Sequence, residues 1–436
     1  MADISGRTRQ ADPVEHLKQQ AAGVFAICMQ RNSTLNRLVG KMPDLSSAKN
    51  TIEKQTSAHL PIVRCTDLGV GKGDEIQFNL IQPTKAYPIM GADRAEGNET
   101  GLSLGEDRLR INQARFPLDL GDTMKDISDP VQLSKVGRPI ALSLMNRYCD
   151  QSYLVHLAGA RGFHDNTEWV LPLANDANFE KIMVNPVKAP TKNRHFIASG
   201  DGVQAFSSAV SGGALSVQST DLLTMDTVDS MKTVLDSIAL PPPVVIFEGD
   251  KAALDSPLRV WLMSPAQYNR FAADPQFRQI QATAIARASL AKNHPVFLNE
   301  AGIWGGFLII KTTKPIRFYK GNAMKYCNEF NTETESSVNV PDALGDDFAI
   351  DRSLILGGQS LMEGFGKSEH TGIPFFFKQR EDDYGDKHGL LIGAIRGTSK
   401  IRFKVNVAGD TVNPEYQFTD NGVIAVDTVV KLNGVR

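Results

Sequence analysis

Asp74–Pro83 (DEIQFNLIQP) and Arg108–Leu120 (RLRINQARFPLDL) bracket the part of the chain whose reading decides the fold. In the first, Ile76, Phe78 and Leu80 alternate with Gln77 and Asn79, the period-two signature of a strand. The second puts Leu109 and Ile111 on one face, then shifts phase to Phe116, Leu118 and Leu120, which predicts a bulge near Ala114. Between them Thr84–Asp107 is rich in Gly and acid and poor in large apolar groups. A connection of that length without structure of its own is uncommon inside a compact domain and usually has a function. A two-stranded ribbon is marginal in water by itself. The pattern therefore predicts a long arm that something else covers, and another copy of the same chain is the nearest candidate.

Working outward, the chain continues into a long amphipathic helix. Asp129-Pro130 opens a stretch reaching about Ala160, where Leu142, Met145, Cys149, Tyr153, Leu157 and Ala160 recur every three to four residues. Gly137-Arg138-Pro139 is expected to kink or break it near its start. Upstream, residues 1–60 are polar, with one apolar patch at Ala22–Met29, and read as a draped arm containing a short helix. Downstream, residues 161–218 are loop-rich and read as a surface insertion. A helix is predicted from Thr224 to Ile238, capped by Thr224 and buried through Val228, Met231, Leu235 and Ile238. Leu258–Met263 (LRVWLM) reads as a buried strand feeding Ser264-Pro265-Ala266-Gln267, a capping box with Pro at the first helical position. Another helix is expected over Gln276–Lys292, and a strand over Phe307–Phe318 entered through Gly305-Gly306. The last third reads mainly as strands: Ile373–Lys378, Gly389–Arg396, Lys400–Val407 and Gly422–Leu432. Helices and strands do not alternate regularly, so the expected class is α+β.

Composition narrows the function classes. The 436 residues carry 47 basic and 49 acidic side chains, a formal net charge of −2, with 42% apolar and 22% charged content. A chain of this size is expected to divide into more than one lobe. A protein that grips phosphate shows a basic excess, which is absent here, so tight nucleic-acid binding is not expected. Cys28, Cys65, Cys149 and Cys327 are scattered without C-x-x-C or a nearby His, which argues against zinc and against a disulfide framework. No apolar run is long enough to span a bilayer, so no membrane partner is expected.

The search for chemistry returns near-misses. Gly366-Lys367-Ser368 ends like a phosphate loop, but Leu361 stands where that motif needs Gly. Gly69–Gly73 has the wrong spacing for a dinucleotide fingerprint. Gly358-Gln359-Ser360-Leu361-Met362 misses the nucleophile elbow at its last position. Asp382, Asp383, Asp386 and His388 cluster in a turn that reads as a solvated hairpin tip, with a hard-cation site as the alternative. His164, His195 and His294 are isolated in sequence. The expectation is no catalytic residue, no metal and no cofactor.

One resemblance organises these segments. The arm DEIQFNLIQP…GLSLGEDRLRINQARFPL, the helix RPIALSLMNRYCDQSYLVHLAGARG, and then LTMDTVDSMKTVLD, VWLMSPAQYNRF, NHPVFLNEAGIWGGFLII and RSLILGGQSLMEGFG, followed by DDYGD, resemble in their order the major capsid (coat) proteins of tailed bacteriophages. Within that group the chain is similar to a podovirus-type family with the Hong Kong 97-like coat fold. The resemblance implies an N-terminal arm (1–60), an extended loop (61–120), a peripheral domain with spine helix and surface insertion (121–218), an axial domain (219–330) and a β-rich return to the peripheral domain (331–436). It further implies self-assembly into hexamers and pentamers of an icosahedral head enclosing double-stranded DNA, without sequence-specific binding. Implied partners are scaffolding, portal and decoration proteins, and the implied location is the virion capsid, assembled in a host cytoplasm. Some members cross-link through a lysine on this loop; here Lys85 sits at its base and none follows up to Thr123. The loop instead carries Asp93, Glu96, Glu99, Glu106 and Asp107 against Arg94 alone, which predicts a basic surface on the neighbouring subunit, with Lys188, Lys192 and Arg194 as candidates. An encapsulin-type cellular shell protein, and an α+β enzyme with dispersed site residues, are the alternative readings.

Overall fold

A computed structural model describes residues 35, 38–39, 59–68, 75–81, 88–91, 96, 104–122, 133–200, 202–238, 240–247, 250, 257–273, 302–366, 374–382, 386–405 and 417–432. The expected helices at 22–29 and 276–292 and the turn at 69–73 lie outside the described residues.

Two sheets and one long helix form the frame, an α+β arrangement. The ribbon consists of β2 (Glu75–Ile81) paired antiparallel with β3 (Leu104–Arg110). The expected single return strand is in fact two. After Ile111 the chain leaves the ribbon, and β4 (Asn112–Asp122) pairs instead with β18 (Lys387–Lys400) in a five-stranded sheet. The phase slip in the sequence marks this change of partner. No bulge occurs at Ala114, which pairs in register with Ala394. On its other side β18 holds β17 (Phe375–Asp382) and then β16 (Leu361–Gly366), and β1 (Ile62–Leu68) completes the sheet parallel to β16. Lys400–Val407, expected as its own strand, is divided between the end of β18 and β19 (Arg402–Val405), which pairs with β20 (Gln417–Asp420).

The spine helix runs Leu133–Ala158, 26 residues, or about 39 Å at 1.5 Å per residue. Pro139 lies inside it, nearly two turns from the start, without ending it, and forgoes only the one ladder bond its missing N–H would have made. Its apolar stripe covers the inner face of the five-stranded sheet: Tyr148 meets Phe116 edge-on with ring centroids 5.7 Å apart, and Met145 and Leu157 are fully buried. Gly159 ends the helix with φ +64°, where a Cβ would sit 2.3 Å from the carbonyl oxygen of Lys188.

The second sheet has eight strands. β9 (Arg259–Met263) lies between β11 (Phe307–Lys311) and β15 (Phe348–Leu356), with β10 (Gly302–Trp304) hairpinned onto β11. Beyond β15 come β21 (Val423–Lys431), β5 (His195–Ser199) and β6 (Gly202–Ala205); β12 (Ile316–Phe318) pairs with the first half of β15. The expected strand Phe307–Phe318 is thus β11 and β12, broken at Thr312–Pro315. The short hairpins β7 (Val210–Ser211) with β8 (Ala214–Leu215) and β13 (Ala323–Cys327) with β14 (Glu335–Asn339) lie outside both sheets. The helices Met225–Ser237 and Pro265–Ala272 carry the expected caps: Thr224 with Thr227, and Ser264 with Gln267 behind Pro265.

One expectation needs correction. Residues 161–218 are not a surface insertion, because β5 sits inside the eight-stranded sheet parallel to β21, and Arg161, Arg194 and Phe206 are fully buried. The C-terminal third supplies β16–β18 to the first sheet and β15 and β21 to the second.

Candidate assembly interface

The root of the ribbon is built from its own chain. Leu109 is completely buried with Cys65, Met362 and Ile401. Asn185 holds the strand on both sides, accepting from the Arg110 amide at 2.9 Å and donating to the Arg110 carbonyl at 2.9 Å and to that of Thr398 at 3.0 Å. Gly397 lets β18 pass close by, since a Cβ there would sit 1.9 Å from the Arg110 carbonyl oxygen.

Beside this clamp lies a buried ion cluster. Asp107 Oδ2 accepts from the Arg402 amide at 3.1 Å, while Lys188 Nζ lies 3.5 Å from Asp107 Oδ1. Burial pushes the Asp107 carboxyl up, against the pull of Lys188. Arg402 Nε donates to Asp420 Oδ1 at 2.7 Å, and Lys400 Nζ stands 2.8 Å from Asp420 Oδ2, an ion pair short of good hydrogen-bond alignment. Burial alone would raise Asp420, but Arg402 and Lys400 hold it at about 2; burial in turn brings Lys400 down to about 8 despite Asp420.

Two further buried clusters tie the spine helix to the sheets. Glu363 on β16 accepts from Arg64 Nε at 2.7 Å and from the Tyr153 hydroxyl at 2.6 Å. On β15, Asp351 and Arg352 point to opposite faces. Asp351 takes Arg317 (2.7 Å) and the Ser264 hydroxyl (2.6 Å); Arg352 takes Asp427 (2.8 Å) and caps the spine helix through the Ala158 carbonyl at 3.0 Å. His195 Nε2 lies 2.7 Å from Asp427 and its ring stacks on Phe206 at 4.0 Å. Burial and Arg352 bring His195 down to about 4, so it is neutral at pH 7. Ser264 has no imidazole partner in these bonds and serves as a helix cap. Among the described residues no group of His, Cys, Asp and Glu could hold a metal, and no helix is long and apolar enough to cross a membrane.

The loop residues and their candidate partners fare differently. Asp93, Arg94 and Glu99 lie outside the described residues, as does the side chain of Glu106, whose backbone pairs with Asn79. Glu96 is exposed. Asp107 and Lys188 do meet, but within one chain at the ribbon root. Arg194 is 1% exposed and donates to the carbonyls of Asp420 and Leu240, so it presents no surface charge. Lys192 sits over the Phe330 ring at 4.5 Å. Charge counting missed Ile89 and Met90, 41% and 71% exposed in the connecting loop of the ribbon. Their signal was available, as an apolar pair in a loop otherwise poor in large apolar residues.

A family described as phage capsid protein matches residues 7–432. The chain belongs to the phage capsid protein family. It is therefore a structural protein of the phage head, and this sets aside the cellular-shell alternative. The capsid fold is seen in the "Capsid of Ralstonia phage GP4" (TM-score 0.63, 23% identity, 86% of this chain and 88% of that one). It recurs in the "Cyanophage Pam1 capsid asymmetric unit" (TM-score 0.54, 13% identity, 84% and 88%). A third case is "The head structure of Helicobacter pylori bacteriophage KHP40" (TM-score 0.51, 13% identity, 89% and 94%). No curated protein sequence matches the chain.

Proposed function

We propose that copies of this capsid protein self-assemble, as hexamers and pentamers, into an icosahedral shell around double-stranded DNA, each ribbon lying across an adjacent subunit. The observation that carries this reading is the ribbon itself: two strands pinned at the root by Asn185, Leu109 and Gly397, with a connecting loop that exposes Ile89 and Met90. Such a surface is stabilised by an intermolecular contact, repeated in every subunit by symmetry. The near-neutral charge suits a wall that confines DNA without gripping it. In this reading the five-stranded sheet with the spine helix is the peripheral lobe and much of the eight-stranded sheet the axial lobe. Scaffolding, portal and decoration proteins are its expected partners, and the host cytoplasm its place of assembly.

Deleting residues 86–100 from the full chain tests this. The shortened chain should keep its circular dichroism and melting temperature while closed shells disappear in negative-stain electron microscopy. Normal shells from the shortened chain would refute the role given to the ribbon.

A further inference from the structure

Val184 is held in a backbone conformation that its side chain disfavours. Among the described residues only Val184 and Gln359 take a positive φ without being glycine, and Val184 is the β-branched one. Its φ of 67° and ψ of −55° are those of the rare, strained γ-turn, closed by the Asn185 amide on the Met183 carbonyl at 2.7 Å. Neither neighbour absorbs the strain. Met183 ends the short helix Phe179–Met183, and Asn185 precedes Pro186, which keeps it out of the helical region.

This turn stands between the spine helix and the ribbon root. On one side the spine helix holds the last carbonyls of the short helix: the Tyr148 hydroxyl donates to Ile182 at 3.2 Å, and the buried His156 ring donates to Met183. On the other side Asn185 grips the Arg110 amide and carbonyl, and Lys188 pairs with Asp107. Asn185 also donates to the Thr398 carbonyl, but β18 has a second tie to the spine helix, Ser152 Oγ to Thr398 Oγ1 at 2.9 Å. Loss of the Asn185 bonds therefore frees the ribbon and leaves β18 in place. We infer that Val184–Lys188 is a strained latch. With Val184 in the γ-turn the ribbon root is locked to the spine helix; with Val184 relaxed to ordinary extended backbone Asn185 swings off Arg110 and the root is released, while both sheets stay folded. The strain lowers the cost of release by about tenfold or more in the equilibrium between the two positions. Such a latch gives the root two discrete settings, unlike a root that is merely loose. It is a property of the single chain and does not depend on the shell reading.

Hydrogen exchange of the full-length, unassembled chain tests the latch. Gly takes this turn without strain and Ala does not, so Val184→Gly should slow exchange at the Arg110 amide by about tenfold relative to Val184→Ala. That order reverses the usual one, in which Gly is the less stabilising of the two. Amides of the core strand β15 should exchange alike in both variants. Equal rates at Arg110, or slower exchange in the Ala variant, would show that no strain is stored and overturn the latch. A parallel change at Arg110 and in β15 would overturn it too, because release would then require global unfolding. From the side of the spine helix, His156→Leu removes the donor to Met183 and should speed exchange at Arg110 by about fivefold, with His156→Gln, which keeps an N–H donor, restoring most of the difference. An unmoved Arg110 in His156→Leu would mean that the spine helix and the ribbon root are not coupled through the turn.

Discussion

The two ends of the β2–β3 ribbon differ in what their side chains touch. At the root, Asp107 and Leu109 are buried, the Arg110 peptide is clamped by Asn185, and Gly397 admits the crossing strand. At the far end Ile89 and Met90 stand in solvent. One element thus has a direction fixed by its own chain and an unfinished surface that a single chain leaves uncovered. An arm that must reach a neighbour needs both, since a loose root would spread the tip over many positions and forfeit affinity to conformational entropy.

The sharpest way to break this comparison is to damage the root. Asp420→Asn leaves Arg402 and Lys400 buried without their carboxylate, and removing one partner of such a cluster typically costs about 3–5 kcal/mol. Urea denaturation should show that loss; a change under about 1 kcal/mol would mean that the cluster does not hold the root.

Acid should act on the frame before it acts on the carboxylates. His195 titrates at about 4 in the folded chain against a free value of 6.5, under burial and Arg352, with Asp427 opposing and Lys400 adding repulsion. Between those values the unfolded chain binds more protons, so stability falls as pH drops from about 6.5 to about 4, by roughly 3 kcal/mol for this group. His156, brought down to about 3 mainly by burial, adds in the same sense. Asp420 and Asp427, both at about 2, keep their contribution above about pH 4 and lose it only below. Urea midpoints at pH 7 and pH 4.5 should therefore differ, and His195→Asn should flatten that difference; an unchanged slope would contradict the assignment.

A local test follows. Asn185→Ala removes the bonds that hold the Arg110 peptide, worth about 1–3 kcal/mol where polar groups are left unmade. Hydrogen exchange should rise at Arg110 while the core strand β15 stays protected. Uniform acceleration would mean that the clamp is part of the global core. The smallest expected effect is at the far end: Ile89→Ser with Met90→Ser should move the melting of unassembled chain by no more than about 0.5 kcal/mol. A larger loss would show that the tip packs on its own chain, erasing the contrast.

Several elements were legible because their signals are local. The caps at Thr224 and Ser264, the stripe of the spine helix and the strand at Arg259–Met263 depend on neighbours three or four residues away, which the sequence displays. β15 went unread because Asp351 and Arg352 interrupt its apolar run, and only partners on β12 and β21 explain how two adjacent charges sit inside a sheet. β5 was hidden likewise, a short strand among loops that becomes core through its parallel pairing with β21.

For the candidate site, the acidic, lysine-poor loop and the need of the ribbon for cover were readable from residues 74–120. Its counter-surface was not, because Lys188 and Arg194 look like surface cations until folding brings Asp107 and the carbonyls of Asp420 and Leu240 against them. Sequence by itself determined the capped helices, the spine helix, the strand at Arg259–Met263 and the ribbon, since periodicity and capping act over a few residues. The tertiary structure alone decided which strands share a sheet, where the ribbon ends and the sheet begins, and which charges are spent at home. Those outcomes depend on pairings hundreds of residues apart, such as Arg402 with Asp107, that no local pattern encodes.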